Sequence, residues 1–246
     1  MQVFLSGVKQ DYGAGELHFT DIYSGRGAWK GVPVSERVQV FDLMSMLMTK
    51  FNLPVFYQTS SAHFEASLIG RLDTKSSVWW DLKNTSHQAL FLLLYVVFRE
   101  IQKYNQEADS DVDFTYPFAA HVDEGLMKAG SEIAIPAWSE VYLDSKLEVA
   151  ASNNCVGLQL ADFAAFCISR VQWISAKQDP GKTLKEADRH ILQTSGKLNC
   201  WNIDMLKIDP QNYSRDTYEW LLMKDRKAKV LNVKLKKPKL PKKNGA

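Results

Sequence analysis

Between Val156 and Ile168 the chain reads Val-Gly-Leu-Gln-Leu-Ala-Asp-Phe-Ala-Ala-Phe-Cys-Ile, and only Gln159 and Asp162 in that stretch carry strongly polar side chains. A spacing of three places both on one face of a helix, about one turn apart and aimed at a shared volume. A helix that is apolar nearly all round is expected to be buried, and a buried carboxylate needs an ion-pair partner, hydrogen bonds or a cation. Asp162 could therefore coordinate a divalent metal while Gln159 orients a ligand water or a substrate phosphate. An ordinary structural role fits the same residues, with Asp162 paired to Arg170 or accepting backbone N–H groups near the helix start, and Gln159 hydrogen-bonded in the core.

Further oxygen ligands must come from elsewhere in the chain. Asp123-Glu124-Gly125 follows an apolar stretch, at the place where strand ends of open α/β sheets present functional groups, although such a tripeptide also serves as a plain turn. Glu16 and His18 alternate with Leu17 and Phe19, the pattern of a half-exposed strand whose polar side is either solvated or functional. Mg²⁺ or Mn²⁺ takes two to four converging carboxylates together with waters and phosphate oxygens. Two such ions about 3.5 to 4 Å apart could activate a water and stabilise the leaving oxygen in phosphodiester hydrolysis. No Gly-x-Ser-x-Gly elbow, phosphate-binding Gly-x-x-x-x-Gly-Lys-Ser/Thr loop or Gly-x-Gly-x-x-Gly turn is present, so the motifs for those chemistries are missing.

Composition narrows the setting. With 246 residues, 46% of them hydrophobic, the chain can bury an ordinary core. The longest apolar run, Ala89 to Phe98, is half of what a helix needs to cross a bilayer, and the first residues carry no charged leader; neither a membrane span nor a secretion signal is expected. Cys155, Cys167 and Cys200 form no disulfide framework or zinc knuckle, which points to a reducing cytoplasm, and five scattered His residues disfavour zinc. From Lys224 to Ala246 ten basic residues meet one acidic residue, so this end carries +9 and the remainder of a chain of net charge +2 carries −7. The simplest partition is one domain over residues 1–223 and a disordered basic tail over 224–246, either a solubilising end or an arm for nucleic acid.

The elements that must position these residues alternate between strand and helix, an α/β layered pattern. Val3-Phe4-Leu5 suggests a short strand, followed by a glycine-punctuated lead-in. Ser35 is expected to cap a helix reaching about Phe51, with Leu53–Gln58 as the next strand. A second helix falls within 78–106, an acidic loop at 109–113, and a strand from Phe114 to Val122 that delivers Asp123. Val141–Leu143 and Leu147–Ala150 are two short strands, and a third helix covers about Gly157 to Ala176. Thr183-Leu-Lys-Glu186 reads as a capping box that opens a fourth helix. Trp79, Trp80, Trp138, Trp173 and Trp201 suit either a core or a base-stacking surface.

Four segments together resemble the DUF3800 family of bacterial and phage proteins with a ribonuclease-H-like fold. They are Gly15-Glu-Leu-His-Phe19, Gly27-Ala-Trp-Lys-Gly31, Val122-Asp-Glu-Gly125, and Ser152 followed by Gly157-Leu-Gln-Leu-Ala-Asp-Phe163. The likeness spans roughly residues 15–175. It implies an α/β fold with a ribonuclease-H-like mixed sheet flanked by helices, a metal cluster of Glu16, Asp123 and Asp162, and Gln159 as the amide beside it. His18 and Glu124 stand next to the ligands. The resemblance also implies a first strand ending in Asp-Glu-Ser-Gly, which is absent here; Asp11 does not end an apolar strand. Either the start lies upstream of Met1 or this is a shortened form with reduced or no activity.

Overall fold

A computed structural model of the chain describes residues 2–14, 16–57, 85–106, 116–125, 127–135, 138–177 and 183–202. Trp79 and Trp80, the acidic loop at 109–113 and the basic tail at 224–246 lie outside the described residues. The fold is mixed α/β. In chain order it runs α1 (Gln2–Tyr12), α2 (Phe19–Ser24), α3 (Val34–Lys50), β1 (Pro54–Tyr57), α4 (Thr85–Gln106), β2 (Phe118–Asp123), β3 (Glu132–Ala134), β4 (Tyr142–Ala150), α5 (Val156–Lys177), α6 (Glu186–Ser195) and β5 (Asn199–Asn202). Strands β1 and β5 form a parallel pair, and the other three form a mixed sheet in the order β2-β4-β3. The Gly130 N–H to Val149 and Ile135 N–H to Ser145 hydrogen bonds run antiparallel between β3 and β4. The β2–β4 pairing is therefore the parallel one, and it brings Asp123 and the residues after Ala150 to the same edge.

By contacts the chain divides into two compact units. One comprises Met1–Val55, His121–Ser131 and Glu148–Trp201. Its core is aromatic at the centre: Phe163 lies 5.2 Å from Phe19 and 6.2 Å from Phe41 between ring centroids. Trp29, buried, stacks on Tyr12 at 4.4 Å. The expected opening strand is instead helix α1. Val8 and Tyr12, four residues apart, put one helical face against this core, while Val3 is 86% exposed, an arrangement that the short apolar triplet alone did not reveal.

Two local devices shape the region before the sheet. Helix α2 has six residues, fewer than a helix needs to persist alone. Its end is tied off by Arg37, which donates from Nη1 to the carbonyls of Ile22 and Tyr23, both at 2.6 Å, and from Nε to that of Val32 at 3.0 Å. Gly25 is required here: its φ is +66°, and a Cβ would stand 3.2 Å from the Arg37 guanidinium carbon. Helix α3 begins at Val34 with Pro33, not Ser35, as its cap residue, and no side chain caps it. It ends in a Schellman motif, with Asn52 left-handed, Leu53 N–H on the Met48 carbonyl and Asn52 N–H on that of Thr49.

The capping box expected at Thr183 does not form either. Lys185 caps α6, and the acidic pair Glu186 and Asp188 occupies its first turn, where it complements the helix dipole. Asp188 accepts hydrogen bonds from Arg170 at 2.8 Å and from the Tyr23 hydroxyl, and the Arg170 guanidinium lies 4.2 Å over the Tyr23 ring. Burial first, then the hydrogen bond to Asp188, pushes the Tyr23 pKa up to about 12. In the unfolded chain the same phenol ionises near 10, so folding favours the protonated form between these values. Its contribution to stability is complete below pH 10 and is lost as pH rises to about 12. Tyr23→Phe is expected to flatten the alkaline arm of the stability curve; a variant whose stability falls as steeply as the parent's between pH 10 and 12 would contradict the assignment.

The second unit contains Phe56–Ala120 and Glu132–Leu147 among its segments. Trp138 sits among rings of α4, 5.5 Å from Phe91, 5.9 Å from Tyr95 and 5.4 Å from Phe98, and the buried Tyr142 hydroxyl donates to the Leu94 carbonyl at 2.8 Å. Trp138 thus serves as packing. The two short strands expected around 141–150 are a single strand. Asp144 and Ser145, at φ +55° and +49°, interrupt its regular conformation where the apolar pattern breaks.

Candidate metal centre

Leu17 and Phe19 are buried, which fixes the turn before α2 so that Glu16 and His18 face outward. The inside–outside alternation expected of this segment holds, but the backbone is a bend leading into a helix, not a strand. His18 is the residue before α2, with extended φ and ψ, and its Nε2 lies 3.3 Å from Glu16 Oε2. The other Glu16 oxygen accepts the Ser152 hydroxyl.

Ser152 stands just beyond the end of β4 and connects two of the expected site residues. While its hydroxyl donates to Glu16, its carbonyl accepts a 2.9 Å hydrogen bond from Gln159 Nε2 on α5. Gln159 is 2% exposed and lies on the buried stripe that continues through Phe163, Cys167 and Ile174. Its Oε1 is buried and has no hydrogen-bond partner among the described residues. An unpaired buried acceptor of this kind costs about 1 to 3 kcal/mol. Ser152 was visible in the sequence only as a member of the Ser152–Phe163 segment, and nothing in its type signalled that it would hold Glu16.

Asp162 corrects the sequence reading. It is one turn from Gln159 as expected, but it is exposed at the rim of the apolar stripe, so the argument from a buried carboxylate does not apply to it. The residue that is buried without full satisfaction is Gln159. The Asp162 carboxylate accepts the backbone N–H of Phe19, the first residue of α2, while Arg170 belongs to Asp188 and Tyr23. One open side does not free the group from its surroundings: partial burial raises its pKa most, His18 opposes that rise, and repulsion from Asp123 and then Glu16 adds to it. Asp123 is the last residue of β2 and is exposed, and Glu124 is exposed in the following turn.

Glu16, Asp123 and Asp162 thus come from a loop, a strand end and a helix into one electrostatic neighbourhood. Among the described residues, no three His, Cys, Asp or Glu side chains stand at metal-holding distance from one another. The donor chemistry still suits a hard cation: carboxylate oxygens, a hydroxyl and an unpartnered amide oxygen, with no thiolate. The cysteines are free, and burial pushes the Cys167 thiol up to about 12, which makes it a packing group. No described helix is long and apolar enough to cross a membrane. No family model, curated protein or solved structure matches the chain.

Proposed function

We propose that the chain is a phosphodiesterase of the ribonuclease-H-like type, dependent on Mg²⁺ or Mn²⁺ and acting on nucleic acid in the cytoplasm, as its resemblance to the DUF3800 family implies. The observation that carries this reading is that carboxylates from a strand end and a loop, Asp123 and Glu16, both act on Asp162 and add to the rise in its pKa that burial begins, one helical turn from the unpartnered Gln159 oxygen. Like charges gathered without a cation are unfavourable, and such gatherings are a mark of sites that use one. Glu16, Asp123 and Asp162 would hold the ion. A bound divalent cation supplies an activated water and offsets charge on the phosphate.

The chain's own groups supply positioning. The Ser152 hydroxyl and His18 restrain both Glu16 oxygens, and the Phe19 N–H restrains Asp162, so the carboxylates lose little rotational freedom when they act. Gln159, anchored on the Ser152 carbonyl, ties α5 to the residue that restrains Glu16 and keeps one amide oxygen unpaired beneath the carboxylates' face of the helix. The basic tail adds salt-sensitive affinity for phosphates without sequence preference. Labelled RNA and DNA incubated with the purified chain should be cleaved in Mn²⁺ and left intact in EDTA; identical, uncut products in both would remove this function.

A second reading, a noncatalytic binding or regulatory module, has its own support. Helix α1 occupies the position where the resemblance implies a strand ending in Asp-Glu-Ser-Gly, and Asp162 already has a structural hydrogen bond at α2. Calorimetric titration separates the two, because a site that has lost its first ligand shows no Mn²⁺ binding at millimolar concentration.

A further inference from the structure

Next to Glu16 lies a cavity of about 460 Å³, inside the size range of pockets that hold small organic ligands. It belongs wholly to the first compact unit and shares Glu16 and His18 with the carboxylate group. Gly13 and Gly27 contribute bare backbone to its wall, both with positive φ, and Ala28 contributes only a methyl group. The Gly27-Ala-Trp segment, which the carboxylate chemistry leaves unused, therefore has a role in making room. Trp29 closes the wall while its ring is engaged by Tyr12.

The polar lining is selective. Asp21 is half-buried, and its carboxylate makes no hydrogen bond or ion pair with any described residue. Asn153 adds an amide, and among the described residues no lysine or arginine lines the space. The one lining histidine, His18, already faces Glu16 at 3.3 Å, so the lining favours a donor-rich ligand over a phosphate. An unpaired carboxylate accepts only, and it is best matched by two neighbouring N–H donors, the fork that a guanidinium presents. Among nucleobases, guanine offers that fork at N1–H and its 2-amino group. Adenine and cytosine place an acceptor beside their amino group, and uracil has one N–H flanked by two carbonyls.

We propose that this cavity is a base-binding pocket in which Asp21 accepts the paired N–H donors of guanine. The proposal rests on the nuclease reading for its purpose, since a base seated here belongs to a nucleotide whose backbone continues beside Glu16. Its binding chemistry can be tested apart from cleavage.

Calorimetry on the full chain without metal would compare guanosine, inosine, adenosine and guanidinium chloride. Guanosine should bind at least tenfold more tightly than inosine, which lacks the 2-amino group, and adenosine should not bind. Asp21→Asn should lose at least tenfold for guanosine with the fold retained, since the native carboxylate makes no hydrogen bond or ion pair with a described residue. Ala28→Phe, which fills the space without altering charge, should lose binding as well, and Asp162→Asn should retain it. No guanosine binding, binding unaffected by both cavity variants, or a preference for guanidinium over guanosine would each overturn the pocket. Guanosine binding that depends on Asp21, with no cleavage of any nucleic acid, would leave the pocket standing and remove the nuclease. Cleavage with no base preference at the cut site would do the reverse.

Discussion

Replacing Asp162 with asparagine is expected to lower Mn²⁺-dependent cleavage by about a hundredfold or more, as loss of a charged metal ligand does, without loosening the fold. The amide keeps an oxygen for the Phe19 N–H, so the helix contact survives. It removes the negative charge that Asp123 and Glu16 oppose. A carboxyl group whose folded pKa is raised binds its proton more tightly folded than unfolded. The resulting penalty is absent below the unfolded value of 3.8, grows as pH rises through the raised folded value, and is fully present above it. Asp162→Asn should therefore melt at the same temperature as the parent or slightly above it at pH 7, within about 2 °C because the group is partly solvated, and the difference should vanish below the unfolded value. Melting curves across pH, together with a cleavage assay, would check both parts. A variant that melts lower at pH 7 would show that the carboxylate is chiefly a structural partner of α2.

Phe163→Ala should have the largest effect on stability. Phe163 is fully buried one residue from Asp162, and its ring meets Phe19 and Phe41. Truncating a phenylalanine in such a place costs about 3 to 5 kcal/mol, partly from lost transfer energy and partly from the cavity left behind. That corresponds to a melting temperature lower by about 10 °C. Because Phe19 begins the helix whose N–H meets Asp162, the void also opens toward the carboxylates, and metal affinity should fall along with stability. Urea denaturation that shows a loss under about 1 kcal/mol would mean that the three rings can repack without this one.

Much of this arrangement was legible in the residues. The spacing of Val38, Phe41, Met44 and Met48 identified α3, and the apolar run with two polar members identified α5 to within a residue at each end. Asp123 was expected at a strand end, and it is there. Other features depended on partners distant in sequence. Val3-Phe4-Leu5 is too short to tell a strand from a helix, and only packing of Val8 and Tyr12 against the first unit's core decided for α1. Strands β3 and β5, of three and four residues, have too little periodicity to register. The exchange of roles between Asp162 and Gln159 was equally hidden: a spacing of three defines a shared face but does not say which member lies toward the core. Ser152 was obscure for a related reason, because a serine between apolar and amide residues looks like any loop residue until Glu16, 136 positions earlier, folds against it.

Arg37 gives the region an asymmetry in its response to acid. Its guanidinium keeps its charge at every pH a protein survives, and what it grips are carbonyl oxygens, which do not titrate. Acidification can neutralise Asp162, whose carboxylate meets the first N–H of the short helix α2, while that helix keeps the same anchorage at its other end. The scaffold and the carboxylate it displays thus answer to different variables: protons act at one end of the helix and leave the grip on the other unchanged.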